Sequence, residues 1–200
     1  FVLDARKVLW DWADLAPDAR LSGALPLARA RLFRTMGWLD GALGELDGAI
    51  LLDPLLPNLP DVELERALIL REAGEDDKAK DTLRAFSHDW LSLGRLDRTS
   101  KDEALYPGFT DVTLPLLEEE LYRFIEHTVF DGGGTYEDLL LSRDALLDEQ
   151  LAAHYGVMGV TGTEPTLVEL PEAERAGLLT RAGLLSMLGK ANQTSPILRG

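Results

Sequence analysis

Apolar residues recur at helical spacing in the central part of the chain. Between residues 114 and 130, the positions that share one helix face are Leu117, Leu121, Phe124, Ile125 and Val129. This spacing predicts a long amphipathic helix. Glu118–Glu120 stand in its early turns, where the helix dipole favours negative charge, and we interpret them as part of a solvated helix face.

Glycine and proline divide the chain beyond this helix. Gly132–Gly134 breaks the helical pattern, and residues 136–155 predict one or two short helices that end at Gly156, a plausible C-cap. Residues 157–171 are rich in Gly, Thr and Pro and predict short extended segments. Residues 172–188 predict a last helical stretch.

An internal repeat of 37 residues marks the first part of the chain. The residue types that recur at this spacing are Gly37 and Gly74; Ala5, Ala42 and Ala79; Leu9, Leu46 and Leu83; Pro17 and Pro54. Each unit predicts a helix, a glycine turn, a second helix and a proline stop. Asp53-Pro54 is expected to end one such helix, because proline cannot continue it.

The string Gly37-Trp38-Leu39-Asp40-Gly41-Ala42-Leu43, followed by residues 49–54, resembles the tetratricopeptide repeat. The family unit has about 34 residues, so an insertion is expected within residues 55–60. The resemblance covers roughly residues 1–86 and implies a concave groove that binds a peptide or a partner helix. The positions expected to face that groove are Leu27, Arg31, Arg34, Leu64, Leu68 and Arg71.

Two of these groove positions have a specific chemical interpretation. Arg34 and Arg71 are repeat equivalents, so they are expected to lie side by side, where two guanidinium groups could clamp a carboxylate. The alternative is that they are surface arginines that pair with Glu72, Glu75 or Asp40 of the same chain.

Composition and charge exclude several classes of function. The formal net charge of −15 disfavours nucleic acid and anionic lipid as partners. The absence of Cys excludes disulfides, thiolate metal sites and a Cys nucleophile within this chain. No apolar run approaches the roughly 20 residues of a transmembrane helix. Because the chain starts at Phe1 without Met, we interpret it as a piece of a longer protein.

The end of the chain differs in charge from the rest. Residues 175–200 contain four bases and no acid: Arg175, Arg181, Lys190 and Arg199. A basic segment beside an acidic body predicts internal docking or contact with an adjoining domain.

A second resemblance covers roughly residues 84–200. It is carried by Phe86, Trp90-Leu91, Leu96-Asp97, Tyr106-Pro107, Phe124, Leu151-Ala152, His154-Tyr155-Gly156-Val157, Arg175, Gly177-Leu178-Leu179-Thr180, Thr194-Ser195-Pro196 and Arg199-Gly200. These strings resemble the domain-of-unknown-function families 1592 and 1588 of large exported bacterial proteins. The chain departs from their pattern at residues 144–148. The resemblance implies export to the periplasm, cell envelope or exterior, beside haem-bearing or carbohydrate-binding domains, with no established activity.

Few residues are candidates for chemistry. The candidate functional positions are His154, Tyr155, Arg175, Thr194, Ser195 and Arg199. His154 could act as a general base, or it could cap helix carbonyls while Tyr155 packs into the core. We expect no catalytic group, metal site or cofactor within this chain, since the three histidines lack ligand spacing.

The sequence therefore predicts an all-α chain of two parts. Residues 1–86 are expected to form helical-repeat hairpins, and residues 87–200 a helical module with some irregular structure. The leading hypothesis is a protein-interaction or scaffolding module that contacts a protein, a peptide or adjoining domains. The alternative is an accessory domain of an exported enzyme or haem-linked redox protein whose catalytic residues lie outside this chain.

Overall fold

The computed structural model describes residues 23–55, 59–110, 112–171, 175–193 and 195. The chain divides into two compact units, Phe1–Phe86 and Ser87–Gly200. Helices dominate both, and the β structure of the described residues is limited to a two-stranded ribbon. The prediction of an all-α fold is confirmed.

Within the described residues, four helices carry the 37-residue repeat, and the last extends past residue 86. They are α1 (Ala24–Thr35), α2 (Leu39–Leu52), α3 (Leu59–Glu72) and α4 (Asp76–Leu91). Gly37 and Gly74, which follow α1 and α3, both adopt the left-handed conformation, with φ of 76° and 77°. The next residue donates its backbone N–H back into the helix in both places, Trp38 to Phe33 O and Glu75 to Leu70 O, each at 2.9 Å.

Side chains at equivalent positions of the repeat are buried alike. Ala30 and Ala67, Ala42 and Ala79, and Leu46 and Leu83 are pairs of repeat equivalents, and all six side chains are buried. The small alanines let helices approach closely, and α1 packs on both α2 and α3. Burial of each leucine contributes about 1.5–3 kcal/mol.

The proline stop lies where the sequence predicts it. Helix α2 ends at Leu52, and Asp53 takes an extended conformation with φ of −146° before Pro54. The repeat positions Ala5, Leu9 and Pro17 lie outside the described residues, as does the middle of the predicted insertion at residues 55–60.

The second unit combines short helices with a β ribbon. In chain order its elements are a 3-10 helix (Leu93–Arg98), α5 (Thr113–Glu126), a π-helical turn (His127–Asp131), α6 (Tyr136–Leu141), β1 (Asp144–Leu147), α7 (Glu149–Tyr155), β2 (Thr166–Glu169), a second 3-10 helix (Leu178–Thr180) and α8 (Ala182–Met187).

Helix α5 is the centre of the second unit. Leu117, Leu121, Phe124 and Ile125 form its buried face, at the spacing that the sequence predicts. Helix α8 packs on this face through Gly183, where a Cβ atom would lie 2.7 Å from Leu121 Cδ1. Glycine at position 183 therefore lets α8 lie closer to α5 than a larger residue would.

The structure differs from the sequence prediction at β1. Residues 144–147 were expected to be helical, but they pair antiparallel with β2, with Asp144 opposite Glu169 and Leu147 opposite Thr166. Alternate burial of Ala145 and Leu147 explains the strand, because this pairing places both side chains in the core. The C-cap prediction is confirmed, since Gly156 ends α7 with φ of 69°.

Candidate binding site in the second unit

A pocket of about 460 Å³ opens between α7, α8 and the loop that precedes α5. The described residues that line it are Lys101, Tyr106, Gly108, Phe109, Ala153, His154, Arg175, Ala182, Leu185, Ser186, Gly189, Lys190, Gln193 and Ser195. All of them belong to the second unit. Its volume lies within the range of about 300–1,000 Å³ that is typical of ligand sites.

The charge of this pocket is opposite to that of the chain. Lys101, Arg175 and Lys190 contribute three cationic side chains, and His154 contributes a titratable one. Of the described lining residues, none carries a carboxylate. Since the whole chain has a net charge of −15, this group of cationic side chains contrasts with the charge of the molecule as a whole.

Lys101 is held in place by the end of α8. Its Nζ donates hydrogen bonds to Ser186 O at 2.8 Å and to Lys190 O at 3.0 Å. A Cβ atom at Gly189 would lie 3.1 Å from this Nζ, so glycine gives the ammonium group access to the helix end. Partial burial lowers the pKa of Lys101. An ammonium has three donors, so one N–H remains for a ligand.

Arg175 lines the pocket, and Tyr155 packs against it. Arg175 Nη1 donates to Thr180 O at 2.8 Å, and its guanidinium lies 5.2 Å from the Tyr155 ring centroid. The Tyr155 hydroxyl accepts a hydrogen bond of 2.9 Å from the backbone N–H of Ala182, the first residue of α8. Burial, and next the charge of Glu120, raise the pKa of Tyr155 above its usual range.

His154 stands at the edge of the pocket, in the last turn of α7. Its ring meets the Tyr155 ring edge to face, with centroids 6.0 Å apart. Partial desolvation, and next the positive charge of Arg175, lower the pKa of His154. An anion bound beside Arg175 would oppose both effects, because it would stabilise the imidazolium form.

A buried ion pair at the start of α8 corrects one sequence prediction. Glu120, expected on a solvated face, is 1% exposed and bonds Arg181 at 3.0 Å. Arg181 also donates to Asp144 O at 2.5 Å, and its guanidinium lies 3.8 Å from the Phe124 ring centroid. Burial raises the pKa of Glu120, although the charge of Arg181 opposes this. The pair thus ties α5, β1 and the start of α8 together.

The predicted functional residues fall into three groups. His154, Arg175 and Ser195 line the same pocket, and Tyr155 lies behind it in contact with Arg175. Thr194 and Arg199 lie outside the described residues.

Sequence reasoning missed two of the cations. Lys101 is surrounded by acidic and polar neighbours in sequence, so no local pattern singles it out. Lys190 was recognised only as one base of the acid-free tail, a signal that indicated docking and not a defined site.

The predicted groove of the first unit has its charges engaged within the chain. Glu65, which is 3% exposed, accepts from Arg31 at 3.3 Å and from Arg34 at 2.6 Å. Arg34 also bonds Glu72 at 2.6 Å, one of the pairings that the sequence allowed. Arg71 bonds Asp76 at 2.7 Å. The apolar groove candidates Leu64 and Leu68 are half-buried, and Leu27 is buried.

Metal-binding clusters and membrane-spanning helices are both absent from the part of the chain that the structure describes. No group of three or more His, Asp or Glu side chains is arranged to hold a metal ion within the described ranges. Of the helices in that same part of the chain, none combines the length and the apolar character needed to cross a membrane.

Residues 70–157 match the family described as PSD4: Protein of unknown function (DUF1592). The match begins near the end of α3, includes α4 and α5, and ends just after α7. It therefore starts earlier and ends earlier than the predicted resemblance, which covers roughly residues 84–200. It supports the presence of a module like that family. No curated protein and no solved structure matches the chain. The tetratricopeptide and family 1588 resemblances remain predictions.

Proposed function

We propose that this chain is an accessory binding module of a larger exported protein, and that the basic pocket of its second unit binds an anionic group. A match to a family of unknown function fits a module of this kind. The observation that carries the proposal is the cluster of Lys101, Arg175 and Lys190 around one pocket, in a chain with a net charge of −15.

Electrostatics supports anion binding at this position. Lys101 is partly desolvated, which lowers its pKa. An anion would replace the lost hydration with a charge-assisted hydrogen bond. Among the described residues, this pocket brings three cations together and its lining holds no carboxylate. Both features favour an anion at this position.

The anionic group could belong to a protein partner, to an adjoining domain of the same polypeptide or to a small ligand. The first two agree with the interaction or scaffolding role that the sequence predicts. In the alternative role, as accessory part of an exported enzyme or redox protein, the pocket would hold a group supplied by the catalytic domain. The groove of the first unit supports a partner less well, because Glu65 already engages both Arg31 and Arg34.

An NMR titration of the whole chain tests this proposal. Acetate, sulfate and phosphate are added at constant ionic strength, and neutral acetamide serves as the reference. We expect each anion to shift the backbone amide signals of Arg175, Lys190 and Gln193, whereas acetamide leaves them unchanged. Weak dissociation constants of about 1–10 mM are sufficient for detection by this method.

A matched pair of variants separates site binding from general charge effects. Lys190→Gln removes one pocket cation whose side chain is exposed, and Lys80→Gln removes an exposed cation of α4. The first variant is expected to weaken anion binding at least about threefold, and the second to leave it unchanged. If no anion shifts the pocket signals, or if both variants behave alike, the proposed function is wrong.

A further inference from the structure

We infer that the ligand of this pocket is an organic carboxylate that carries an apolar body, of which an arylalkanoic acid is the simplest example. This inference rests on the proposed function and deepens it. The cations are only one part of the lining. The remaining wall is largely apolar, and its main members are Tyr106, Phe109, Ala153, Ala182 and Leu185.

The apolar wall disfavours a small inorganic anion as the full occupant. Phosphate or sulfate presents polar oxygens in every direction. Those that face Phe109 and Leu185 would lose water and gain no hydrogen bond, which costs free energy. An aryl or alkyl group placed against the same side chains is favoured, because apolar surface leaves water on both partners.

The hydrogen-bonding capacity of the cationic side fits a single carboxylate. Lys101 already donates two of its N–H groups to Ser186 O and Lys190 O. Arg175 uses part of its fork on Thr180 O and lies against the Tyr155 ring. The donors that remain can serve two carboxylate oxygens, since a guanidinium binds a carboxylate through parallel N–H groups.

The size of the pocket also agrees with such a ligand. A volume of about 460 Å³ exceeds what acetate or phosphate needs and leaves room for a ring with a short linker. Ser186, Gln193 and Ser195 add neutral polar groups beside the cations. They could bind a hydroxyl or an amide on the body of the ligand.

Isothermal titration calorimetry of the full chain tests the inference with four probes. They are 4-phenylbutyrate, its neutral counterpart 4-phenylbutanamide, acetate and inorganic phosphate. The comparison of 4-phenylbutyrate with 4-phenylbutanamide measures the effect of the negative charge on affinity. The comparison of 4-phenylbutyrate with acetate measures the effect of the apolar body. We expect 4-phenylbutyrate to bind at least about tenfold tighter than each of the others. Lys190→Gln is expected to weaken it about three- to tenfold, whereas Lys80→Gln leaves it unchanged.

The possible outcomes separate the two proposals. If acetate or phosphate binds as tightly as 4-phenylbutyrate, the inference is overturned while anion binding stands. If the amide binds as tightly as the acid, the inference is overturned, and the NMR titration decides separately whether anion binding stands. If none of the four probes binds here and no anion shifts the NMR signals, both proposals fail.

A carboxylate with an apolar body has two common sources, a free organic acid and the C-terminus of a polypeptide. Acetyl-Ala-Ala-Phe as the free acid, and the same peptide as its C-terminal amide, distinguish these sources. If the peptide acid binds tighter than 4-phenylbutyrate and the peptide amide does not, the natural ligand is a chain terminus. If the peptide acid binds more weakly than 4-phenylbutyrate, the natural ligand is a free acid. Either ranking supports the shared chemistry, whereas a peptide amide that binds as tightly as 4-phenylbutyrate contradicts it.

Discussion

The buried Glu120–Arg181 pair makes a sharp prediction about stability. Arg181→Met removes the guanidinium but leaves the Glu120 carboxylate in a core where it is 1% exposed. An uncompensated buried charge of this kind typically costs about 3–5 kcal/mol of unfolding free energy. The variant also loses the hydrogen bond to Asp144 O and the contact with the Phe124 ring. We expect the total cost near neutral pH to fall in that range.

The double variant Glu120→Met with Arg181→Met distinguishes the charge from the packing. It leaves no buried charge, so the losses that remain are the hydrogen bond to Asp144 O and the contact with the Phe124 ring, about 1–2 kcal/mol in total. The double variant is therefore expected to be about 1–4 kcal/mol more stable than Arg181→Met alone.

The cost of Arg181→Met is also expected to depend on pH. Burial raises the pKa of Glu120 in the folded state, and the loss of the Arg181 charge removes the effect that opposes it. A raised carboxyl pKa means that the folded state binds the proton more strongly than the unfolded state. The contribution of Glu120 to folded-state stability is therefore fully present at pH values below the ordinary carboxyl pKa. This contribution is lost as pH rises through the raised pKa of the folded state. The difference in unfolding free energy between the single and the double variant should therefore become smaller as pH falls towards about 5.

Urea denaturation followed by far-ultraviolet circular dichroism measures these free energies at about pH 7.5 and pH 5. Arg95→Met is a suitable control, because Arg95 is exposed in the 3-10 helix and its loss should change stability by less than about 0.5 kcal/mol. If the single variant is as stable as the double variant at both pH values, the buried charge does not determine the cost and the reasoning is refuted.

Two further predictions concern the helix contact and the pocket. Gly183→Ala is expected to lower the unfolding free energy by about 1–3 kcal/mol, because its Cβ would lie 2.7 Å from Leu121 Cδ1. Gly94→Ala is the control and should cost less, because its Cβ would make only an ordinary 3.6 Å contact. Equal urea midpoints of the two variants would contradict this prediction. Acetate affinity, measured by NMR, is expected to rise as pH falls from about 8 to 6, since a bound anion raises the lowered pKa of His154. His154→Gln should remove that dependence, and a persistent dependence would show that another group titrates.

The helices could be predicted wherever local pattern and burial agree. The spacing of Leu117, Leu121 and Phe124 predicted α5, and the glycine repeat predicted the turns at Gly37 and Gly74. Local signals are sufficient in these places, because one apolar face or one left-handed glycine determines the element.

The strand β1 shows where local reasoning fails. Its residues, Asp144–Leu147, include leucine and alanine, which favour helices in isolation. Pairing with β2, about twenty residues away in sequence, decides the conformation instead. Glu120 was misassigned for a related reason. Its spacing from Leu117 and Phe124 places it on the buried face, but a carboxylate there is acceptable only because Arg181 arrives from a distant segment.

The candidate site could be predicted only in part. His154 and Ser195 stood out as members of short strings and Arg175 as a single residue, and all three line one pocket in the structure. Lys101 could not be assigned to it from sequence, since its position depends on carbonyl groups of Ser186 and Lys190. A pocket made from separate segments has no periodicity or motif that reveals it.

The attachment of Lys101 to the end of α8 has a consequence for the order of folding. The hydrogen bonds from Lys101 to Ser186 O and Lys190 O join residues 85 and 89 positions apart in sequence. Closing so long a loop has a high entropic cost, so these contacts form more slowly than a single helix does. The pocket should thus be completed after α5 and α7 have formed. A fragment that stops at residue 157, where the family match ends, would contain Lys101 and His154 but lack the Arg175 and Lys190 side of the pocket. Ligand binding would then require that the C-terminal segment has docked. Binding is therefore a direct signal that the second unit has folded completely.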